Sequence, residues 1–165
     1  DALPILFVSI HTNANKDNAN GYPTCSQPVG INKPIVLINQ VAAGSDQIIQ
    51  VANEIGQALT KTGNHLGICE TDQFQYADKE HLTQWSDQYN DSLHVQGTVC
   101  YRLGQHGDYY GVLRGASNVG VPGMIIEHGF HTVEEVRKLA MEGNLAKQWA
   151  KADAEGIAKG FGVIE

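Results

Sequence analysis

The chain has 165 residues, 42% of them hydrophobic and 18% charged, and this composition is typical of a single folded domain. Eighteen acidic residues against eleven Lys and Arg give a net charge of −7, which argues against nucleic acid as the main partner because phosphate binding needs a basic face. No apolar run reaches the ~18 residues of a membrane span, and the three cysteines have no Cys-x-x-Cys spacing that would indicate a disulfide framework.

The first third of the chain contains two predicted strands and one predicted helix. Residues 4–10 are almost continuously apolar, which predicts a strand buried on both faces of a parallel sheet. Residues 35–38 form a second short apolar run. Residues 45–62 carry apolar side chains at helical spacing after a Ser-Asp pair suited to capping, so an amphipathic helix is expected there, ending at Gly63.

The middle of the chain has a weaker pattern than its two ends. Between residues 67 and 105, only Trp85, Tyr89 and Leu93 recur at helical spacing, and they indicate one further helix. Residues 109–113 are expected to be a strand or an extended segment. This region therefore contributes little to the prediction of the fold.

The last third returns to strong patterns. Residues 122–126 form a short apolar run between glycines, which suits a second buried strand. Residues 133–159 predict a long helical stretch broken into two helices at Gly143-Asn144. Alternating strands and helices indicate an α/β fold, with a mostly parallel twisted sheet and helices on both faces.

Two chemically useful side chains follow the two predicted buried strands. His11 comes directly after the first strand and Glu127 directly after the later one. Ligands bind beyond the carboxyl ends of strands in open α/β sheets, so these residues converge if the strands are parallel neighbours. A neutral imidazole is a good zinc ligand, and a nearby carboxylate can accept a proton from water. The alternative is purely structural, with His11 capping a strand and Glu127 forming a salt bridge.

Two segments around these residues resemble one known family. The first is Ser-Ile-His-Thr-Asn-Ala at residues 9–14, and the second is Val-Pro-Gly-Met-Ile-Ile-Glu-His-Gly-Phe at residues 121–130, preceded by Gly-Val-Leu-Arg at residues 111–114. Both are similar to signatures of the zinc-dependent N-acetylmuramoyl-L-alanine amidases of the Amidase_3 type, and they occur in the same order. The resemblance covers the start of the chain and its last third, whereas residues 21–105 contain no diagnostic motif.

The resemblance implies a function and two site residues. Members of the family, from bacteria or their phages, cleave the amide between N-acetylmuramic acid and L-alanine in peptidoglycan. His11 would be a zinc ligand, and Glu127 would be the catalytic carboxylate that acts as general base and then as general acid. The implied cofactor is Zn²⁺, the implied partner is peptidoglycan or a muropeptide, and the implied location is extracellular, periplasmic or in the cell wall.

The chain also departs from the family pattern. The family's other two zinc ligands lie upstream of the segment that contains His11, and no residue before Asp1 is present to match them. We therefore expect residues 1–165 to be one amidase domain that lacks its amino-terminal strands, with a companion segment supplying the other ligands. In addition, the family's Gly-Phe-x-Ser-Asn element reads Gly-Phe-His-Thr at residues 129–132, without the asparagine.

Other interpretations of the same residues stay open. The main alternative is a non-catalytic wall-binding or regulatory relative that has lost the metal. His128 is expected to point away from Glu127 because side chains alternate along a strand, and His131 is a candidate for a supporting or substrate-contacting role. Further candidates are a metal site at His65, Cys69 and Glu70, and a cysteine nucleophile paired with His94 or His106.

Overall fold

A computed structural model describes residues 6–13, 33–68, 74–85 and 97–165. All residue-level statements below refer to these ranges. The elements in chain order are β1 (Phe7–Asn13), β2 (Ile35–Ile38), α1 (Gln40–Ala43), α2 (Asp46–His65), β3 (Thr83–Gln84), β4 (Val99–Tyr101), β5 (Leu103–Gly104), β6 (Gly107–Asp108), α3 (Gly111–Asn118), β7 (Gly123–Phe130), α4 (Glu134–Met141) and α5 (Leu145–Gly160).

Five strands form the main sheet, in the order β1-β7-β2-β4-β3. The pairs β1–β7, β2–β4 and β3–β4 are parallel, and only β2 runs antiparallel to its neighbour β7. Strands β5 and β6 form a separate two-stranded hairpin. The predicted α/β fold with a mostly parallel sheet is therefore confirmed, with one reversed pairing inside it.

Helices cover both faces of the sheet, as predicted. On one face, α5 lies against β7, where His128 contacts Asp153 and Trp149, and α2 packs against α5. On the other face lies α3: a Cβ atom added at Gly123 would be 3.4 Å from side-chain atoms of two α3 residues. Gly123 and His128 are an odd number of positions apart in β7, and such residues point to opposite faces of a sheet. This agrees with the placement of α3 and α5 on opposite faces.

The prediction that the first strand is buried on both faces is wrong. Strand β1 lies at the edge of the sheet with β7 as its paired neighbour, and its burial is at most partial. Ile10 is 67% exposed and Phe7 is 36% exposed. An apolar run indicates a strand but does not say whether helices cover it, and β7 is the only described element that packs extensively against β1. The fully buried strands are β2 and β7.

The predicted amphipathic helix is α2, and its start is as expected. The Ser45 hydroxyl accepts a hydrogen bond from the Ile48 amide at 3.4 Å, which caps the first turn. The helix does not end at Gly63, which is buried within it, but two residues later at His65. Gly67 then adopts a φ of +69°, a left-handed conformation that glycine tolerates at a helix end.

In the second half of the chain, one prediction is wrong and another is confirmed. Residues 109–113 do not form a strand, because helix α3 begins at Gly111 and the Arg114 amide bonds to the Tyr110 carbonyl. The two predicted C-terminal helices are α4 and α5, separated at Gly143, whose φ is +86°. Of the helix predicted through Trp85, Tyr89 and Leu93, the structure describes Trp85 alone, which is not helical and donates its amide to the Tyr101 carbonyl at 2.8 Å; the other two lie outside the described residues.

Candidate active site

His11 and Glu127 lie side by side in the sheet. They are register partners on the parallel neighbours β1 and β7, and partners in register point to the same face. The convergence expected from the sequence is therefore observed, although both residues lie within their strands and not after them, because β1 continues to Asn13 and β7 to Phe130. The His11 ring is exposed, and its Nε2 atom lies 2.9 Å from the hydroxyl of Ser9 on the same strand.

Glu127 has the environment of a proton-transfer group. Its residue surface is only 9% exposed, and Ile35 of β2 is its partner on the other side. Burial raises the pKa of Glu127 to about 7, although the charge of His128 acts in the opposite direction. The buried Oε2 atom receives no hydrogen bond from any described residue. A carboxyl group that titrates near neutrality and keeps one oxygen unpaired can accept and return a proton.

His128 points away from Glu127, as predicted, and enters the core beside α5. Its Nε2 atom lies 2.8 Å from Oδ2 of Asp153, and its Nδ1 atom lies 3.0 Å from the carbonyl oxygen of His11. The ring also lies 5.1 Å from that of Trp149, centroid to centroid. Burial lowers the pKa of His128, but the Asp153 carboxylate more than offsets this, so the pKa is raised overall.

A cluster of one arginine and three aromatic rings lies towards the opposite edge of the sheet. The Arg102 guanidinium carbon is 3.6 Å from the ring centroid of Tyr109 and 4.9 Å from that of Trp85. Burial raises the pKa of Tyr110, Arg102 lowers it by hydrogen bonding to the hydroxyl, and the charge of Glu127 raises it slightly. Sequence reasoning missed this cluster because it assigned residues 109–113 to a strand; the adjacent tyrosines near an arginine were the available signal.

Of the other candidate residues, the three that the structure describes do not lie beside this pair. His65 is exposed at the end of α2, and His106 is exposed in the turn between β5 and β6. Cys100 is fully buried in β4, and burial, followed by the charge of Glu127, raises the pKa of its thiol. A thiol held protonated in this way is a poor nucleophile. Cys25, Cys69, Glu70 and His94 lie outside the described residues.

His131 lies close to β1, and no described hydrogen bond joins it to Glu127. Its Nδ1 atom lies 3.2 Å from the hydroxyl of Thr12, and its amide donates to the carbonyl of Asn13 at 2.9 Å. These contacts tie the end of β7 to the end of β1. A role in contacting substrate stays a prediction.

The described residues fit part of a zinc site. His11 offers an exposed imidazole, and the unpaired Oε2 atom of Glu127 lies on the same face of the sheet. Within the described ranges, however, no group of three His, Cys, Asp or Glu side chains is placed to hold a metal ion. A catalytic zinc site uses three protein ligands and an open position, so the described residues alone do not make up such a site.

Sequence comparison then identifies the family. The profile of the N-acetylmuramoyl-L-alanine amidase family matches residues 2–159, nearly the whole chain. The chain belongs to this family. No curated protein matches this family member. None of its described helices is long and apolar enough to cross a membrane.

A solved amidase structure has the same fold. The CwlD amidase of Clostridioides difficile, determined in complex with the GerS lipoprotein, is 16% identical, with a TM-score of 0.50 over 96% of this chain and 55% of that one. Cwp6 from Clostridium difficile is 19% identical, with a TM-score of 0.45 over 96% of this chain and 17% of that one. This family member thus spans about half of the CwlD chain and less of the Cwp6 chain.

Proposed function

We propose that this chain forms the catalytic part of a peptidoglycan hydrolase. Its substrate would be the amide that joins the lactyl group of N-acetylmuramic acid to L-alanine, the bond for which the family is named. The observation that carries the proposal is the pairing of an exposed imidazole, His11, with a buried carboxyl group, Glu127, whose pKa is raised to about 7. Peptidoglycan lies outside the cell membrane, so the site of action would be extracellular, periplasmic or in the wall.

Glu127 would move the protons of the reaction. As a carboxylate, it takes a proton from the attacking water while the water oxygen bonds to the amide carbon. The protonated carboxyl group then gives the proton to the departing nitrogen as the carbon–nitrogen bond breaks. The products are the lactyl carboxylic acid and the free amino group of L-alanine. A pKa near neutrality suits both steps because neither form of the carboxyl group is strongly disfavoured.

His11 would be one of three protein ligands of a zinc ion. Bound zinc supplies Lewis-acid polarisation of the amide carbonyl and a lowered pKa of water. The remaining ligands would come from a companion segment or from positions outside the described ranges, because the described residues do not complete the set. Among the described strands β1 pairs with β7 alone, so its other edge could pair with such a segment.

The proposal is tested with two substitutions and a matched control for each. Glu127→Gln removes the proton acceptor but keeps the side-chain volume, so cleavage of a muropeptide should fall by about 10²-fold or more while bound zinc is retained. His11→Ala should lose both zinc and activity. Glu155→Gln and His106→Ala, which change exposed or half-exposed residues outside the pair, should keep both. Activity is followed by release of free L-alanine amino groups, and zinc by elemental analysis of the intact protein.

The outcome also separates the enzyme from the alternative class. A non-catalytic wall-binding or regulatory relative would bind peptidoglycan without releasing amino groups, and His11→Ala would leave that binding unchanged. Full activity in Glu127→Gln would refute the role of the carboxyl group. Absence of zinc from a fully active wild-type protein would refute the role of His11.

A further inference from the structure

The buried pair of His128 and Asp153 has no part in the chemistry proposed above, and we propose that it is a positioning device for His11. The pair would hold the main chain of β1 at His11, and so keep the His11 imidazole beside Glu127. This inference rests on the proposed function for its effect on catalysis. The contact itself joins three elements, since His128 is on β7, His11 on β1 and Asp153 on α5.

Both ring nitrogen atoms of His128 have hydrogen-bond partners. A carbonyl oxygen only accepts hydrogen bonds, so the Nδ1 atom that lies 3.0 Å from it carries a proton. Nε2 lies 2.8 Å from Oδ2 of Asp153, within hydrogen-bond distance. The ring is therefore bonded at both nitrogen atoms, to β1 through the His11 carbonyl and to α5 through the Asp153 carboxyl group. Trp149 packs beside the ring and limits its rotation.

The hydrogen bond from His128 reaches β1 where the pairing of β1 with β7 becomes irregular. The ladder between β1 and β7 shifts directly after His11: two steps along β1, from His11 to Asn13, match three along β7, from Glu127 to Phe130. Such a bulge interrupts regular pairing and re-aims side chains, and bulges are common beside active sites. Because β1 is an edge strand with β7 as its paired neighbour, a strong bond at the bulge restricts the position of His11 where the ladder is weakest.

A merely structural pair is the competing explanation. Buried ion pairs cost desolvation free energy, and replacing them with apolar side chains is often neutral or stabilising. If His128 and Asp153 only fill the core, an apolar substitution at Asp153 should change global stability without changing the local order of β1. If they position His11, β1 should loosen more than the rest of the sheet.

The experiment compares Asp153→Leu with Asp153→Asn and a control in the full-length protein. The control is Asp108→Leu, because Asp108 is also a buried carboxylate that accepts hydrogen bonds, from the Gln40 amide and the Ser117 hydroxyl, but it lies away from β1. The first measurement is amide hydrogen exchange of residues 7–13 against residues 35–38 in metal-free protein. We expect Asp153→Leu to accelerate exchange about tenfold or more in β1 alone, Asp153→Asn to retain most protection, and Asp108→Leu to spare β1.

The second measurement separates kcat from KM for the amidase reaction. Small displacements of a site residue lower the rate of the chemical step, so Asp153→Leu should lower kcat about tenfold or more with KM changed less than about twofold. Asp153→Asn should restore most of kcat. Unchanged β1 exchange and unchanged kcat in folded Asp153→Leu would overturn the proposal.

The test also covers two other cases: an Asp153→Leu variant that does not fold, and a wild type without amidase activity. If Asp153→Leu does not fold, His128→Gln replaces it, because the glutamine amide cannot bond to both partners in the geometry of the ring; normal β1 exchange in that variant would also overturn the proposal. If wild-type protein shows no amidase activity, the proposed function fails, but the exchange comparison still decides whether the pair holds β1.

Discussion

Glu127 and His128 are consecutive residues of β7 whose side chains have different electrostatic surroundings. Glu127 lies among apolar groups and its pKa is raised by burial, whereas His128 faces Asp153 and its pKa is raised by that carboxylate. The alternation of a strand makes this possible, because it sends neighbouring side chains to different faces of the sheet. The face that carries His11 therefore has a carboxyl group with a pKa near neutrality, while the α5 face has a buried His–Asp pair joined at 2.8 Å.

The raised pKa of Glu127 predicts a pH dependence of stability in metal-free protein. The pKa is about 7 in the folded chain and 4.5 in the unfolded reference, so the unfolded state releases its proton first. The contribution of the Glu127 carboxyl group to the free energy of unfolding is fully present below pH 4.5 and is lost as the pH rises through about 7. Between pH 5 and pH 8 the wild type should therefore lose about 2–3 kcal/mol relative to Glu127→Gln.

Urea unfolding with a chelator present, at several pH values, measures this difference. The glutamine variant serves as the reference because all other titrating groups are common to both proteins. A difference in the free energy of unfolding that stays constant from pH 5 to pH 8 would contradict the raised pKa.

At the scale of elements, the main helix contact depends on glycines in α5. A Cβ atom added at Gly156 would lie 2.4 Å from the Cα atom of Ile55, and one at Gly160 would lie 2.4 Å from the Cα atom of Val51. Both clashes are with the backbone of α2, which a rotamer change cannot relieve. The two helices therefore approach closely only because these positions lack a side chain, and α5 in turn supplies Asp153 to the core face of β7.

Gly156→Ala should therefore lower the free energy of unfolding by about 1–3 kcal/mol, the usual cost of overpacking. Gly115→Ala is the matched control, because a Cβ atom there meets nothing within 4 Å in the middle of α3. Alanine is the better helix former, so this control should be neutral or up to about 1 kcal/mol more stable. Equal effects of the two substitutions, measured by thermal or urea unfolding, would contradict the close helix approach.

The accuracy of sequence-based prediction differed between elements for physical reasons. The pattern of α2 extends over five turns and includes a capping serine, so its start could be predicted, and the break at Gly143 was marked by the glycine itself. Residues 109–113 are too few to distinguish a strand from the first turn of a helix. The exposure of Ile10 depends on which elements cover β1, and that information is not local to the strand.

At the scale of the whole molecule, one cluster of buried apolar residues joins the sheet to α2 and α5 on one face and to α3 on the other. Cys100 lies fully buried in β4 near the middle of the sheet, and its thiol is kept protonated by burial. The motifs predicted His11 and Glu127 as site residues and their positions in the chain predicted that they lie together, but Asp153 and Arg102 could not be singled out, because their contacts are made across the fold. Such contacts join residues that no local pattern connects.

The burial of Cys100 predicts that its thiol reacts only when the whole domain opens. In a variant with Cys25→Ser and Cys69→Ser, alkylation of Cys100 should be blocked in the native state and should proceed at a rate set by global unfolding. Mild urea should accelerate it with the same dependence that equilibrium unfolding shows. Rapid alkylation in native buffer, or loss of amidase activity on thiol blocking, would contradict this and would favour a cysteine nucleophile.

The pairing of β1 with β7 has a consequence for the order of assembly. His11 and Glu127 are register partners although 116 positions separate them along the chain, and closing so long a loop is slow and entropically costly. The two residues meet only after β7 has been synthesised and has joined the sheet, so a partly translated chain would lack the proposed hydrolytic site. Detachment of β1 from the sheet edge would separate His11 from Glu127, and the proposed activity would then be lost while the rest of the core is still folded.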